Sequence, residues 1–375
     1  VRFLLINQFI PPDPAPTARL LGELAAELGR RGHGIVLIAD GADYRGAKTL
    51  LGSRALREMV SLARLFVRAV LVRRVDVIVC LTSPPLVPVV ARWARLRHGR
   101  ARLVHWAMDL YPEVAVALGE VRGGSLLHRI TAALMGEAYR ACDRIIVLDE
   151  DMAARVNAYG AGCKVLAPWP PALEGTAEDW PSVAGDGDAA FTWLYSGNLG
   201  RAHEWETLLE AQAMLENADL AVDLVFQGGG TEREATLARA KELGLVRCRW
   251  QDYAAPEALV PSLLAADCLI ATQRPETSGC LWPSKLALAL QLERPLVWVG
   301  ETEGAVARLL RERGHDCFAP GDAAGLAEKI KSLLESSNGD VPPPSQGVLR
   351  ERIESLRRNG IAQVADWVEN REPIL

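Results

Sequence analysis

Short apolar runs recur along this chain, and nearly every one stops at a loop of Gly, Pro, Asp or Ser that opens onto a helix-period segment. That rhythm admits few folds. It fits parallel strands joined by helical crossovers, an α/β architecture. The first runs are Val1–Asn7, Ile35–Ala39, Val75–Cys80, Ala101–Trp106 and Arg144–Leu148. Residues 168–190 then break the pattern with Pro, Gly and Asp, the composition of an inter-domain linker. The alternation restarts with Phe191–Tyr195, Val222–Gln227, Arg247–Trp250, Cys268–Thr272 and Leu296–Val299. The reading is therefore two α/β domains, 1–170 and 191–354, with a linker at 171–190. Helices are expected near 18–31, 50–74, 232–243, 256–265, 286–292 and 348–367.

No apolar run reaches the ~18–20 residues of a membrane-spanning helix. The opening run is too short and too quickly polar for a signal peptide and reads as a buried strand. The seven cysteines are scattered and form no C-x-x-C pair, so reduced thiols and no metal site are expected. Residues 1–170 hold 23 Lys+Arg and 15 Asp+Glu, a balance of +8, and the remaining residues hold 19 and 32, a balance of −13. Two segments concentrate the positive charge. One is the apolar helix 50–74 with Arg54, Arg57, Arg64, Arg68, Arg73 and Arg74; the other runs from Arg92 through Arg95, Arg97 and Arg100 to Arg102. Both suit an anionic membrane surface, or else are solvated faces of packed helices. No nucleic-acid-binding motif is present, so nucleic acid is not an expected partner.

In α/β sheets ligands sit at the carboxyl ends of strands, and those loops carry the informative residues. Pro283-Ser284-Lys285 precedes the apolar stretch 286–292. Proline fits a first helical turn, and a helix start beside a lysine attracts anions. Ser196-Gly197-Asn198-Leu199-Gly200-Arg201 and Gly228-Gly229-Gly230 also follow strands, where glycine permits close approach to a ligand. Asp252 begins a further loop. In the first half, a loop holding Pro11, Pro12, Pro14 and Pro16 follows the first strand, with Arg19 just beyond it. No G-x-G-x-x-G occurs there, which argues against a dinucleotide. Asp109 and Glu113 stand just past another strand. Asp109 is a candidate general base, His105 is its competitor, and a loop-bracing role for Asp109 is the alternative.

The order of Asn7-Gln8-Phe9-Ile10-Pro11-Pro12-Asp13, Asp109-Leu110-Tyr111-Pro112-Glu113, Tyr195-Ser196-Gly197-Asn198-Leu199-Gly200, Phe226-Gln227-Gly228-Gly229-Gly230 and Pro283-Ser284-Lys285 resembles the retaining glycosyltransferases of the family-4 type. The resemblance covers nearly the whole chain. It implies the GT-B fold, two Rossmann-like domains facing across a cleft, with residues 355–375 packing back on the first. It implies a nucleotide-sugar donor, often a UDP sugar, in the second domain. Gly200, Arg201, Ser284 and Lys285 would hold the diphosphate. Ser196, Gly197, Asn198, Gly228, Gly229, Asp252, Gly279, Cys280, Leu281 and Pro283 would line the nucleotide and sugar. A glycan or lipid-linked acceptor would meet Pro12, Ala15, Arg19 and Glu113. No cofactor or bound metal is implied, and the expected location is cytoplasmic, peripheral at the inner face of the cytoplasmic membrane. Many members carry two glutamates eight positions apart. Here Cys280 and Leu288 stand at those places, leaving Glu276 or Glu301 to substitute. A nucleotide-sugar 2-epimerase of the same fold, using His105 and His203, and a non-catalytic partner of an active transferase are the competing readings.

Overall fold

The chain alternates strand and helix throughout, and the computed structural model describes residues 1–13, 15–40, 54–174, 190–336 and 346–370. Most of the linker 171–190, residues 338–345 of the Pro/Gly/Ser-rich stretch 338–347 and the start of the helix expected at 50–74, including the Arg54 side chain, lie outside the described residues. The chain divides into two compact units. Unit 1 comprises Val1–Pro168, Gly279–Trp282 and Arg358–Leu375; unit 2 comprises Trp169–Ser278 and Pro283–Arg357.

Unit 1 runs β1 (Arg2–Ile6), α1 (Pro16–Arg30), β2 (Gly34–Ile38), α2 (Arg54–Leu71), β3 (Val77–Cys80), α3 (Val87–His98), β4 (Arg102–Trp106), α4 (Glu113–Ala117), α5 (Leu126–Ala141), β5 (Arg144–Val147), α6 (Glu150–Ala158) and β6 (Lys164–Val165). The strands form one parallel sheet in the order β2-β1-β3-β4-β5-β6. β3 and β5 are buried at every position. Strands covered on both faces are expected to be apolar; Val77–Cys80 and Ile145–Val147 meet that demand, while the buried Arg144 at the start of β5 sets its guanidinium over the Trp367 ring. One layer of core joins Leu4, Ile6, Ile78 and Leu103 to Leu65 and Ala69 of α2 and Ala91 and Ala94 of α3.

Unit 2 runs β7 (Phe191–Ser196), α7 (Glu206–Asn217), β8 (Val222–Gln227), α8 (Arg233–Glu242), β9 (Cys248–Gln251), α9 (Pro256–Leu264), β10 (Cys268–Thr272), α10 (Leu286–Ala289), β11 (Leu296–Val299), α11 (Ala305–Glu312), β12 (Asp316–Phe318) and α12 (Ala323–Ser336). Its parallel sheet is ordered β12-β11-β10-β7-β8-β9. Trp193, Tyr195 and Phe226 pack with Leu208 and Leu209 of α7 and Leu326 and Ile330 of α12. The buried Gln212 is fully used. Its Oε1 accepts from Trp193 Nε1 at 2.9 Å, and its Nε2 donates to the Val222 carbonyl at 2.8 Å, which removes the cost of an amide in an apolar core.

The last helix, α13 (Gln346–Glu369), starts in unit 2 and ends in unit 1. Within unit 1 its end is clamped by charge. Arg31 binds Asp366 at 2.6 Å and Glu369 at 3.1 Å. Arg144 and Lys164 lie 4.3 and 4.6 Å from the Trp367 ring centroid.

One expected element is shorter than its sequence implies. The apolar stretch 286–292 yields only the four residues of α10, because i to i+3 bonds take over around it. Leu286 N bonds Pro283 O at 3.0 Å, and Leu292 N bonds Ala289 O at 3.2 Å. Glu293 then turns at φ +53° ahead of Pro295, which ends any helix. A single turn has almost no macrodipole. The helix-start argument for an anion at Pro283-Ser284 therefore falls away, and Lys285 remains.

Candidate functional site

Each sheet has one place where successive connections turn in opposite directions. In unit 2 the chain moves from β7 outward to β8 and β9, returns past β7 to β10, and continues to β12. The carboxyl ends of β7 and β10 therefore open into a crevice, the usual ligand position in such sheets. The loop after β7 supplies Gly197–His203, and the loop after β10 leads to Lys285.

These two loops meet. The Lys285 ammonium lies 3.4 Å from the centroid of the Tyr195 ring, a cation–π contact. Its Nζ is buried and has no hydrogen-bond partner. Burial alone pushes the Lys285 pKa well below its ordinary value. A Cβ on Gly197, whose φ is +136°, would sit 3.6 Å from Lys285 Nζ. His203 closes the cluster edge-on to Tyr195, with ring centroids 5.8 Å apart. Burial first, and then the Lys285 charge, press the His203 pKa down to about 3, so its imidazole is neutral at physiological pH. Its Nδ1 lies 3.1 Å from the Gly200 N–H. The arrangement is a buried cation held on an aromatic face without a counter-ion, which suits it to receive an anion.

The glycines of β8's end are required by backbone contact. A Cβ at Gly228 would lie 2.2 Å from the Gly197 carbonyl oxygen, and one at Gly230 would lie 2.1 Å from that of Leu199. Both have φ near +130°. Gly228→Ala is expected to lower unfolding stability by about 2–4 kcal/mol, an effect that denaturant unfolding reads. Gly229 borders the Tyr253 ring, and the Tyr253 hydroxyl lies 3.3 Å from Asn198 Oδ1. Ser196 Oγ donates to Gln227 Oε1 at 3.0 Å. Arg201 and Ser284 are exposed. Asp252 is exposed and paired with Arg233 at 3.5 Å.

Unit 1 has its own turning point between β1 and β3. Gln8 N donates to Ser83 O at 2.6 Å there. Thr82 Oγ1 accepts from Met108 N at 2.8 Å and Asp109 N at 3.3 Å, fixing the loop after β4. Gly279–Leu281, placed by the sequence with the donor loops, assemble with Asp109 in unit 1. Leu110 N donates to Cys280 O at 2.7 Å, and Asp109 pairs with Leu281 in an antiparallel bridge. Burial raises the Asp109 pKa to about 6. Glu113 accepts from the Tyr159 hydroxyl at 2.5 Å through Oε1. Pro12 is exposed, Ala15 is buried at the start of α1, and Arg19 pairs with Glu23 at 3.2 Å. His105 lies inside the sheet. Its Nδ1 is 3.0 Å from Cys80 O, its ring stacks on Tyr139, and burial lowers its pKa to about 4. Leu288 is buried, Glu276 is exposed, and Glu301 accepts from Glu303 N at 3.0 Å.

Tyr195, Thr82 and Tyr159 carry this geometry without having been singled out as site residues. The one signal for Tyr195 is an aromatic immediately before the Ser-Gly turn; Thr82 and Tyr159 have none beyond their place at a strand end and a helix end.

Known proteins share this plan. Residues 17–169 match the glycosyl transferase 4-like domain, and residues 190–336 match the glycosyl transferases group 1 domain. A probable glycosyltransferase of Pseudomonas aeruginosa, WbjE, is 27% identical over 290 residues, covering 72% of this chain and 70% of the relative. The sucrose-phosphate synthase of Thermosynechococcus elongatus superposes with a TM-score of 0.70 at 16% identity, over 98% of this chain and 97% of that one. WaaG, a glycosyltransferase involved in lipopolysaccharide biosynthesis, superposes with a TM-score of 0.62 at 16% identity, over 99% and 100%. The two matched domains divide the chain between the two sheets, and with the relatives they place it among the glycosyltransferases of the GT-B fold.

Proposed function

We propose that the protein transfers a sugar, with retention of anomeric configuration, from a UDP-sugar held by unit 2 to a glycan or lipid-linked acceptor held by unit 1, in cell-surface polysaccharide or glycolipid biosynthesis. The observation that carries the reading is the buried Lys285 ammonium without a hydrogen-bond partner at the turning point of the second sheet. A diphosphate leaving with the electron pair of the anomeric C–O bond develops charge that such a group stabilises. Arg201, in the adjacent loop, is the second cation assigned to it. The acceptor hydroxyl forms the new bond, and Asp109 takes its proton. Asp109 is preferred to His105 because it stands in a strand-end loop, whereas His105 is enclosed by the sheet and Tyr139. No metal is assigned a role, and activity is expected to survive chelation.

The test is titration calorimetry with UDP-, GDP- and dTDP-sugars, followed by transfer assays with the donor that binds. A UDP-sugar is expected to bind with a Kd in the range of about 1 μM to 1 mM; no binding by any nucleotide sugar would remove the reading.

The acceptor is proposed to lie at the inner face of the cytoplasmic membrane. Among the described residues no helix is long and apolar enough to cross a membrane. Arg57 and Arg64 on α2 are exposed, as are Arg97 and Arg100, whereas Arg68 donates to the Ala39 carbonyl. The rest of the second basic segment is engaged inside unit 1. Arg92 pairs with Glu137, Arg95 with Asp143, and Arg102 donates to the Glu369 carbonyl.

A further inference from the structure

The connections β2 to β3, β3 to β4 and β4 to β5 all step the same way across the first sheet. Right-handed crossovers therefore put α2, α3 and α5 on one face. α2 packs against α3, and α3 against α5. The inward sides of these helices are complete: Leu65 and Ala69, Ala91 and Ala94, Met135 and Tyr139 are buried. Their outward sides are apolar as well. Of the nineteen large apolar residues exposed among the described residues, eleven lie on these three helices. That concentration makes a patch, where scattered surface leucines would need no explanation.

Its centre on α5 has helical spacing. Leu126, Ile130 and Leu134 follow at i, i+4 and i+8, with Leu127 beside them, and Leu126 is 73% exposed. Trp93 and Leu96 of α3 continue the patch at 55% and 73% exposed, and Leu71 of α2 is 78% exposed. Arg68 of α2 donates to the Ala39 carbonyl, but exposed Arg64 of α2, Arg97 of α3 and Arg129 of α5 accompany these positions, with exposed Arg100 just past α3 and exposed Arg122 just before α5. A second copy of the same face would set these arginines against each other. An anionic bilayer answers both features, since it offers an acyl boundary to the apolar side chains and phosphates to the guanidinium groups.

We propose that the outer face of α2, α3 and α5 inserts into the headgroup–acyl boundary of an anionic membrane, with Leu126, Leu127, Ile130, Trp93 and Leu96 as the apolar anchor. The inference rests on the reading that the acceptor is membrane-associated, and it adds a salt-resistant, apolar component to the electrostatic one.

The test is co-flotation of the full chain with vesicles of phosphatidylcholine and phosphatidylglycerol, at low and at raised salt. The wild-type protein is expected to float under both conditions. Leu126→Ser/Leu127→Ser/Ile130→Ser, all at exposed positions, is expected to float at low salt but to lose about tenfold in binding at raised salt. Bromine-labelled acyl chains are expected to quench tryptophan emission in the wild-type protein and measurably less in Trp93→Phe. Wild-type flotation that vanishes at raised salt would overturn the apolar anchor and leave the arginine surface standing. Absence of flotation at any salt would overturn both the anchor and the membrane-bound acceptor. Equal quenching of the wild-type protein and Trp93→Phe, or a dimer that the triple serine variant dissolves, would likewise overturn insertion.

Discussion

Lys285→Met is expected to cut donor-dependent sugar transfer sharply while raising the melting temperature. The two effects have one cause. The Lys285 ammonium is buried on the Tyr195 ring without a hydrogen-bond partner. A buried charge with no counter-ion opposes folding, and burial already drives its pKa down. Methionine keeps most of the volume and the ring contact and removes the charge. Melting is therefore expected to rise, by roughly 2–4 °C for each kcal/mol recovered in a chain of this size. Transfer is expected to fall by about 10²–10³-fold, the usual effect of deleting one group that stabilises developing negative charge. A thermal scan and a donor-turnover assay on the same preparation decide it. Turnover within about twofold of the wild-type rate would show that the anion binds elsewhere.

Asp109→Asn is expected to reduce transfer by about 10²–10⁴-fold, the range for a positioned acid–base group, while donor affinity stays unchanged. Burial raises the Asp109 pKa from 3.8 to about 6, so the ionised, proton-accepting form accumulates as pH rises through that value. Wild-type kcat is expected to climb across the same interval, and the climb should disappear in the variant. The stability effect has a definite sign. The folded-state pKa lies above the unfolded one, so the favourable contribution of the protonated carboxyl is fully present below about pH 4 and lost as pH rises through about 6. Asp109→Asn removes that loss and is expected to be more stable than the wild type at neutral pH. Part of the acid-side dependence should remain, because burial also raises Asp149 to about 6. A variant whose pH–rate profile kept its rise near 6 would assign the proton transfer to another group.

The strands were legible because a doubly covered parallel strand is largely apolar, so Cys268–Thr272 and Leu296–Val299 appear where the sequence places them, as does Val222–Gln227 despite Asp223, which pairs with Arg247 and Arg249. Loop glycines were legible for a similar reason: at Gly228 and Gly230 a side chain would overlap a neighbouring carbonyl. The length of α10 was not, because Leu286–Leu292 has helix-compatible composition and only the i+3 bonding around it reveals one short turn. Lys285 could be singled out from its place before an apolar stretch, but not its seat on Tyr195, since no local rule links residues ninety positions apart. The grouping of Gly279–Leu281 with Asp109 was equally hidden, because those residues follow a strand of the other sheet. The basic segment 92–102 showed its charge in sequence; only the contacts to Glu137, Asp143 and the Glu369 carbonyl show which arginines are already engaged.

The clamp on the end of α13 also orders events during synthesis. Arg31, Arg144 and Lys164 leave the ribosome before unit 2, whereas Asp366, Trp367 and Glu369, which they hold, follow it. The whole of unit 2 is made in between. At roughly 5–20 residues per second the wait is on the order of 10–40 s. Unit 1 is thus begun before unit 2 and completed after it, and a nascent chain stopped short of residue 358 leaves its basic seat for Trp367 unfilled.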